Sequence, residues 1–208
     1  MKQFHRLHLA SLSLMIFSVS PAIAGDANFT GFTLGATAGL AHNEISYSGY
    51  IDGKSSSKND WVAGLNAAYA FALGESVVLS AGASYAINDT KFGQVTYPDG
   101  AQTVSVNGKL KDHWTVFVAP GYRFAPQWLG YAKVAYHEAK SDFTDTLMGS
   151  GTAKHHGVGY GIGAAYAVSR NIEVSAEAQQ VRLSSASFAL SSGKPTVTEF
   201  NLGVNYRF

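Results

Sequence analysis

The chain has 208 residues, 46% of them hydrophobic, 12% aromatic and only 14% charged, with 22 glycines and no cysteine. The missing cysteine excludes disulfides, thiolate chemistry and lipoprotein-type acylation. With 15 Lys+Arg against 14 Asp+Glu, no basic surplus favours nucleic acid.

Lys2 and Arg6 precede an apolar stretch from Leu9 to Val19, and Ala22-Ile23-Ala24 follows as a small-x-small cleavage pattern. Residues 1–24 therefore read as a secretory signal peptide, since the apolar stretch is shorter than the roughly 20 residues a spanning helix needs. Residues 25–208 are expected to form one domain, with 13 Lys+Arg against 14 Asp+Glu once Lys2 and Arg6 are removed.

Period-two alternation then recurs eight times. The first predicted strand sets Phe32, Leu34, Ala36, Ala38 and Leu40 against Thr33, Gly35, Thr37 and Gly39. The second runs from Trp61 to Phe71, the third from Val77 to Ile87 and the fourth from Trp114 to Phe124, where Pro120-Gly121 is expected to form a bulge. The fifth runs from Trp128 to Tyr136, and the sixth sets Val158, Tyr160, Ile162 and Ala164 against Gly157, Gly159, Gly161 and Gly163. The seventh alternates Ile172, Val174, Ala176 and Ala178 with Glu173, Ser175, Glu177 and Gln179. The last places Phe200, Leu202, Val204, Tyr206 and Phe208 on one face and Asn201, Gly203, Asn205 and Arg207 on the other.

Segments 74–76, 125–127 and 169–171 are tight turns, whereas 43–60, 88–113, 138–155 and 182–197 are long and polar. Short turns at one end, long loops at the other and aromatics at both ends of the apolar faces are the pattern of an outer-membrane barrel. In lipid every backbone donor needs a partner, and only closure removes the strand edges. The expected fold is therefore all-β, an eight-stranded antiparallel up-and-down transmembrane β-barrel with both termini in the periplasm. Eight strands give an interior that side chains fill. Arg123, Lys133, Glu173, Glu177, Glu199 and Arg207 fall on the lumen face, with Lys133 and Glu177 at mid-height and Arg123, Glu173 and Arg207 below. They read as a structural ion-pair network, with a translocation path as the alternative.

Connection 88–113 does not read as featureless. Val95 and Tyr97 alternate with polar residues, Pro98-Asp99-Gly100 signals a turn and Thr103 to Val106 resumes β-type composition. A hairpin projecting past the rim is expected, with Asn107-Gly108 as the competing turn.

Five histidines follow the signal: His42, His113, His137, His155 and His156. His137 and His155 could meet across the hairpin of the fifth and sixth strands, which raises a metal site against rim polar residues; no ligand spacing on one strand supports a metal. A lipid-modifying hydrolase needs a serine, a base and an orienting group within reach, and no His-x-Ser stands on a late strand. No enzyme, no cofactor and no metal is expected.

The run Phe117-Val118-Ala119-Pro120-Gly121-Tyr122-Arg123-Phe124, with the glycine-rich sixth strand and terminal Tyr206-Arg207-Phe208, resembles the Ail/OmpX and opacity-type small outer-membrane barrels. That resemblance implies an eight-stranded surface protein of the bacterial outer membrane, serving adhesion, serum resistance or envelope integrity. It also implies Tyr206 and Phe208 as a signal to the barrel-assembly machinery. Outer-membrane lipids, lipopolysaccharide and host surface proteins are the expected partners, with a small channel for ions or hydrophobic molecules as the alternative function.

Overall fold

The computed structural model describes residues 28–49, 53–99, 102–146, 149–188 and 191–208; the expected signal peptide lies outside them. Ten strands follow in order: β1 (Gly31–Gly49), β2 (Ser55–Ala72), β3 (Val77–Ala86), β4 (Thr90–Asp99), β5 (Gln102–Ala125), β6 (Trp128–Asp145), β7 (Gly149–Ala167), β8 (Ile172–Leu183), β9 (Ala186–Phe188) and β10 (Ser191–Arg207). Eight of them form a closed antiparallel ring, β1-β2-β3-β5-β6-β7-β8-β10, sealed by pairing of β10 with β1 from Thr33↔Arg207 to Gly49↔Ser191. The short β4 pairs only β5, and β9 only β10.

The terminal end of the barrel carries the tight turns and both ends of the described chain. In its lower part the outward face is apolar: Leu34 is 45% exposed, Leu65 56%, Ile162 70% and Leu202 57%. Exposed Trp61, Tyr85, Trp114, Tyr136, Tyr160 and Phe200 bound this band at its distal edge, and Phe71, Phe124, Trp128 and Phe208 at its terminal edge. Such a band needs an apolar solvent.

The four long polar connections are a correction. They are mostly strand, continuing the wall well beyond the distal aromatics. Along β1 the outward parity passes from Phe32, Leu34 and Leu40 to His42, Glu44, Ser46 and Ser48, while the inward parity passes from Thr33 and Gly35 to buried Ala41, Ile45 and Tyr47. The polarity of the two faces inverts because the outer solvent changes from lipid to water while the pleat keeps its period. Ile45, Tyr47, Phe92, Val95, Tyr97, Val104, Val106, Leu110, Phe143, Val181, Leu183 and Val197 thereby form an apolar core inside the distal extension.

Pairing of β4 with β5 runs to Asp99↔Gln102, so the expected hairpin exists with Pro98 and Asp99 in its ladder; residues 100–101 lie outside the described residues. Asn107-Gly108 is not a turn; both residues pair within the ladder. Above Gly64, β2 and β4 are not laddered, and the seam is closed by side chains. Ser56 Oγ donates to the Phe92 carbonyl at 2.9 Å, and Asp60 Oδ2 accepts from the Lys91 amide at 3.1 Å. Gly93, at φ +85°, lets the edges approach: a Cβ there would stand 3.0 Å from the Ser57 carbonyl oxygen.

The expected bulge at Pro120 is also corrected. Val118↔Val134 and Gly121↔Tyr131 keep one register across it, so the missing N–H only thins the ladder. The irregularities fall between Lys111 and Trp114, where Asp112 takes φ +48°, and between Arg123 and Ala125.

Candidate functional site

The lumen inside the apolar band is the one place where charged side chains converge away from water. Inward parity delivers Lys133 from β6, Glu173 and Glu177 from β8, and Glu199 and Arg207 from β10. The inward glycines opposite leave room for them, because a Cβ at Gly163 would lie 2.5 Å from the Tyr131 ring.

Three clusters result. Lys133 is ion-paired with Glu177, which also accepts from the Tyr131 hydroxyl at 3.1 Å, and the Lys133 ammonium lies 5.4 Å from the Phe117 ring centroid. Nearer the terminal end, Arg207 is ion-paired with Glu173, which accepts from Asn205 Nδ2 at 3.0 Å. Towards the distal end, Glu199 accepts from Gln179 Nε2 at 2.6 Å and Asn201 Nδ2 at 3.0 Å.

Arg123 departs from the expected layer with Glu173 and Arg207. Its guanidinium donates to the carbonyls of Asn28 at 3.3 Å and Gly74 at 3.1 Å, at the barrel mouth. The reason is position: Arg123 stands close to the tight turns at the terminal end, where the Gly74 and Asn28 carbonyls are within reach.

The cavity between these groups has a volume of about 180 Å³. The lining from β2, β3 and β5 mixes apolar Val62, Ala68, Ala86, Phe117 and Ala119 with Asn66, Ser80, Ser84 and Thr115, and the charged residues come from β6, β8 and β10. Above it lies the apolar core of the extension. Below it, Phe29 closes the mouth: the ring is 3% exposed, packs with Ala70, Val78, Leu129, Ala165 and Ala167, and has the Arg207 guanidinium 5.4 Å from its centroid. Its backbone sits at φ +70°, a conformation a bulky residue adopts only when its surroundings impose it. Nothing in the period-two pattern marks Phe29, which precedes the first strand.

The histidines are arranged otherwise than expected. His137 meets His113 at 2.9 Å and Thr115 Oγ1 at 3.0 Å, not His155. The reason is register, since His137 faces Gly157 while His155 faces Ala139. His155 Nε2 lies 2.6 Å from Ser141 Oγ, and its Nδ1 2.8 Å from the Ser184 carbonyl oxygen. Burial holds the His155 imidazole below its usual range, against the opposing effect of the Ser184 carbonyl. This Ser–His pair was missed because its members come from different strands. Ser141 and His155 are 0% and 1% exposed, inside the extension where no substrate reaches. Among the described residues, no group of three or more His, Cys, Asp or Glu side chains is placed to hold a metal ion.

Outside, just beyond Trp114 and Tyr136, the registers Lys111↔Lys140 and Lys140↔Lys154 align three lysines across β5, β6 and β7. Lys111 pairs with Asp142 at 2.5 Å and Lys140 with Asp112 at 2.8 Å. The lysine ammonium groups and a hydrogen bond from Thr152 hold the Asp142 carboxyl below its usual range.

A family model described as outer membrane protein beta-barrel domain matches residues 9–208. Several solved structures are similar. Neisserial surface protein A is 17% identical with a TM-score of 0.49, covering 86% of this chain and 98% of its own. Ail of Yersinia pestis is 17% identical at 0.48, covering 86% and 100%. The outer membrane protease OmpT of Escherichia coli is 10% identical at 0.51, covering 85% and 96%. At these identities the likeness is one of fold. No curated protein matches.

Proposed function

As the chain belongs to the outer membrane protein beta-barrel domain family, we propose that it is a non-enzymatic surface protein of the bacterial outer membrane whose distal extension is its interaction surface. In this reading residues 1–24 are the signal peptide, the turns and both termini lie in the periplasm, and the extension stands outside the cell. Tyr206 and Phe208 form the signal read by the assembly machinery.

The observation that carries the reading is the inversion of face polarity. A wall with its apolar side turned inward and its charged side turned out, continued past the membrane, has no use in a pore and presents ordered side chains to partners. Against a channel stands the interior itself, filled by the Phe29 closure, the ion pairs and the distal core. Against a hydrolase stands the occlusion of Ser141 and His155.

The row Lys111, Lys140 and Lys154 sits just beyond the aromatic belt, at the level of lipid headgroups. Lipopolysaccharide phosphates are the partner its charge fits, since Lys111 and Lys140 can each trade an aspartate for a phosphate. Host surface molecules would meet the outward residues farther from the membrane.

Two measurements on the refolded protein test this. In planar bilayers, no steady conductance is expected, and regular single-channel steps would return the channel reading. In a pull-down with lipopolysaccharide vesicles, reversing Lys111, Lys140 and Lys154 to Glu should weaken capture in a salt-dependent way, each charge contributing about 1 kcal/mol. Capture indifferent to those changes would remove the lysine row from the surface.

A further inference from the structure

The lumen cavity holds a charge imbalance. Three carboxylates, Glu173, Glu177 and Glu199, line it with one cation, Lys133; Lys133 is taken by Glu177, and Arg207, outside the lining, by Glu173. Glu199, 6% exposed, is hydrogen-bonded by two amides and has no Lys or Arg ion pair among the described residues. Amide dipoles do not cancel a full charge, and a carboxylate without a counter-charge in a low-dielectric interior is costly. Beside it, Gln179 Oε1 is a buried acceptor with no donor. The imidazole of His113 borders the same space, and Val62 and Ala86 form its apolar side.

A group that fits must bring positive charge and several donors to one wall and a short apolar body to the other. We propose that this cavity binds a small organic ammonium ion, a protonated primary amine on a short alkyl chain, with Glu199 as its counter-ion. The ammonium has three donors and no acceptor, matching the Glu199 carboxylate and the orphan Gln179 oxygen. A bare divalent ion fits poorly, because among the described residues no three or more His, Cys, Asp or Glu side chains are placed to hold one, and it would leave the Val62 and Ala86 side without a partner. The thinner closure is at the terminal end, where the Phe29 ring in its left-handed conformation separates the cavity from the mouth. Exchange therefore runs past Phe29, since the distal core is many side chains deep.

The test uses the refolded full barrel in detergent, with n-butylammonium chloride as probe and potassium chloride at equal ionic strength as the inorganic arm. Calorimetry should show saturable one-to-one binding, and the thermal midpoint should rise with butylammonium and not with potassium. Glu199→Gln keeps the shape and one acceptor but removes the charge, and should lower affinity by at least about tenfold, as loss of a charge-assisted contact does. Phe29→Ala should speed association and dissociation together and leave the affinity nearly unchanged. Absence of saturable binding, even with butylammonium present throughout refolding, overturns the site. Equal protection by potassium overturns the organic class. Unchanged affinity in Glu199→Gln overturns the assignment of the counter-ion; should that variant not refold, Glu199→Asp should still weaken binding, and unchanged affinity in both Glu199→Asp and Gln179→Leu overturns the placement of the ammonium beside Glu199.

Discussion

Lys133 and Glu177 have side chains only 13% and 12% exposed, so neither charge can turn to water if its partner is lost. Glu177→Ala should therefore destabilise the barrel by about 3–5 kcal/mol in urea unfolding, whereas Lys133→Met with Glu177→Leu should recover most of that. A double variant as unstable as the single would mean that the pair matters for something other than its charges. His155 offers a pH-dependent counterpart. Its folded pKa lies below the unfolded value of about 6.5, so the extension is most stable when the imidazole is neutral. Stability is lost as pH falls below about 6.5, because the unfolded chain then takes up a proton that the folded one resists. Amide protection factors around Ser141 and Ser184, taken against the intrinsic exchange rate at each pH, should be lower at pH 5.5 than at 7.5, and His155→Gln should flatten that difference.

At the scale of elements, the β4–β5 hairpin is part of a core, not an appendage. Phe92 is 0% and Val104 1% exposed, so removing 92–106 would take out the interior of the extension with the surface. Phe92→Ala should cost about 3–5 kcal/mol, the usual range for a buried phenylalanine. The loss should be local: exchange protection falls from Thr90 to Leu110 while β3 and lower β5 keep theirs. The membrane strands were legible in the sequence because Phe200 to Phe208, like Val158 to Val168, alternates against a strongly apolar outside. The extension was not. From Asn43 to Ser48 the outward residues are Glu44, Ser46 and Ser48 and the inward ones Asn43, Ile45 and Tyr47, and every residue from Lys54 to Asp60 is polar, so the mean polarity reads as loop while the weak alternation carries the strand. In the site, inward parity is the signal that directs Lys133, Glu173, Glu177, Glu199 and Arg207 to the lumen face. It could not say that Arg123 would turn to carbonyls, that Glu199 would be left with amides, or that Phe29 would fold back under the barrel, because each depends on contacts between distant strands.

The whole molecule is a tube whose hydrogen-bonded wall continues well beyond the distal aromatics, where among the described residues only short segments such as 53–54, 87–89 and 184–185 lie outside the strands. A loop can lengthen or shorten without disturbing its neighbours, but a pleated wall cannot. One extra residue turns every later side chain to the opposite face. Inserting a single alanine between Ser141 and Asp142 would send Asp142 into the core and Phe143 into water. A variant of that kind should fail to reach the compact, heat-modifiable form on gels, whereas the same insertion between Gly53 and Lys54, which lie outside the strands, should be accepted. The part that faces outward is then free to change in chemistry and not in length. Its diversity, natural or engineered, is confined to replacing one outward residue by another on a lattice whose rows are fixed about 4.8 Å apart.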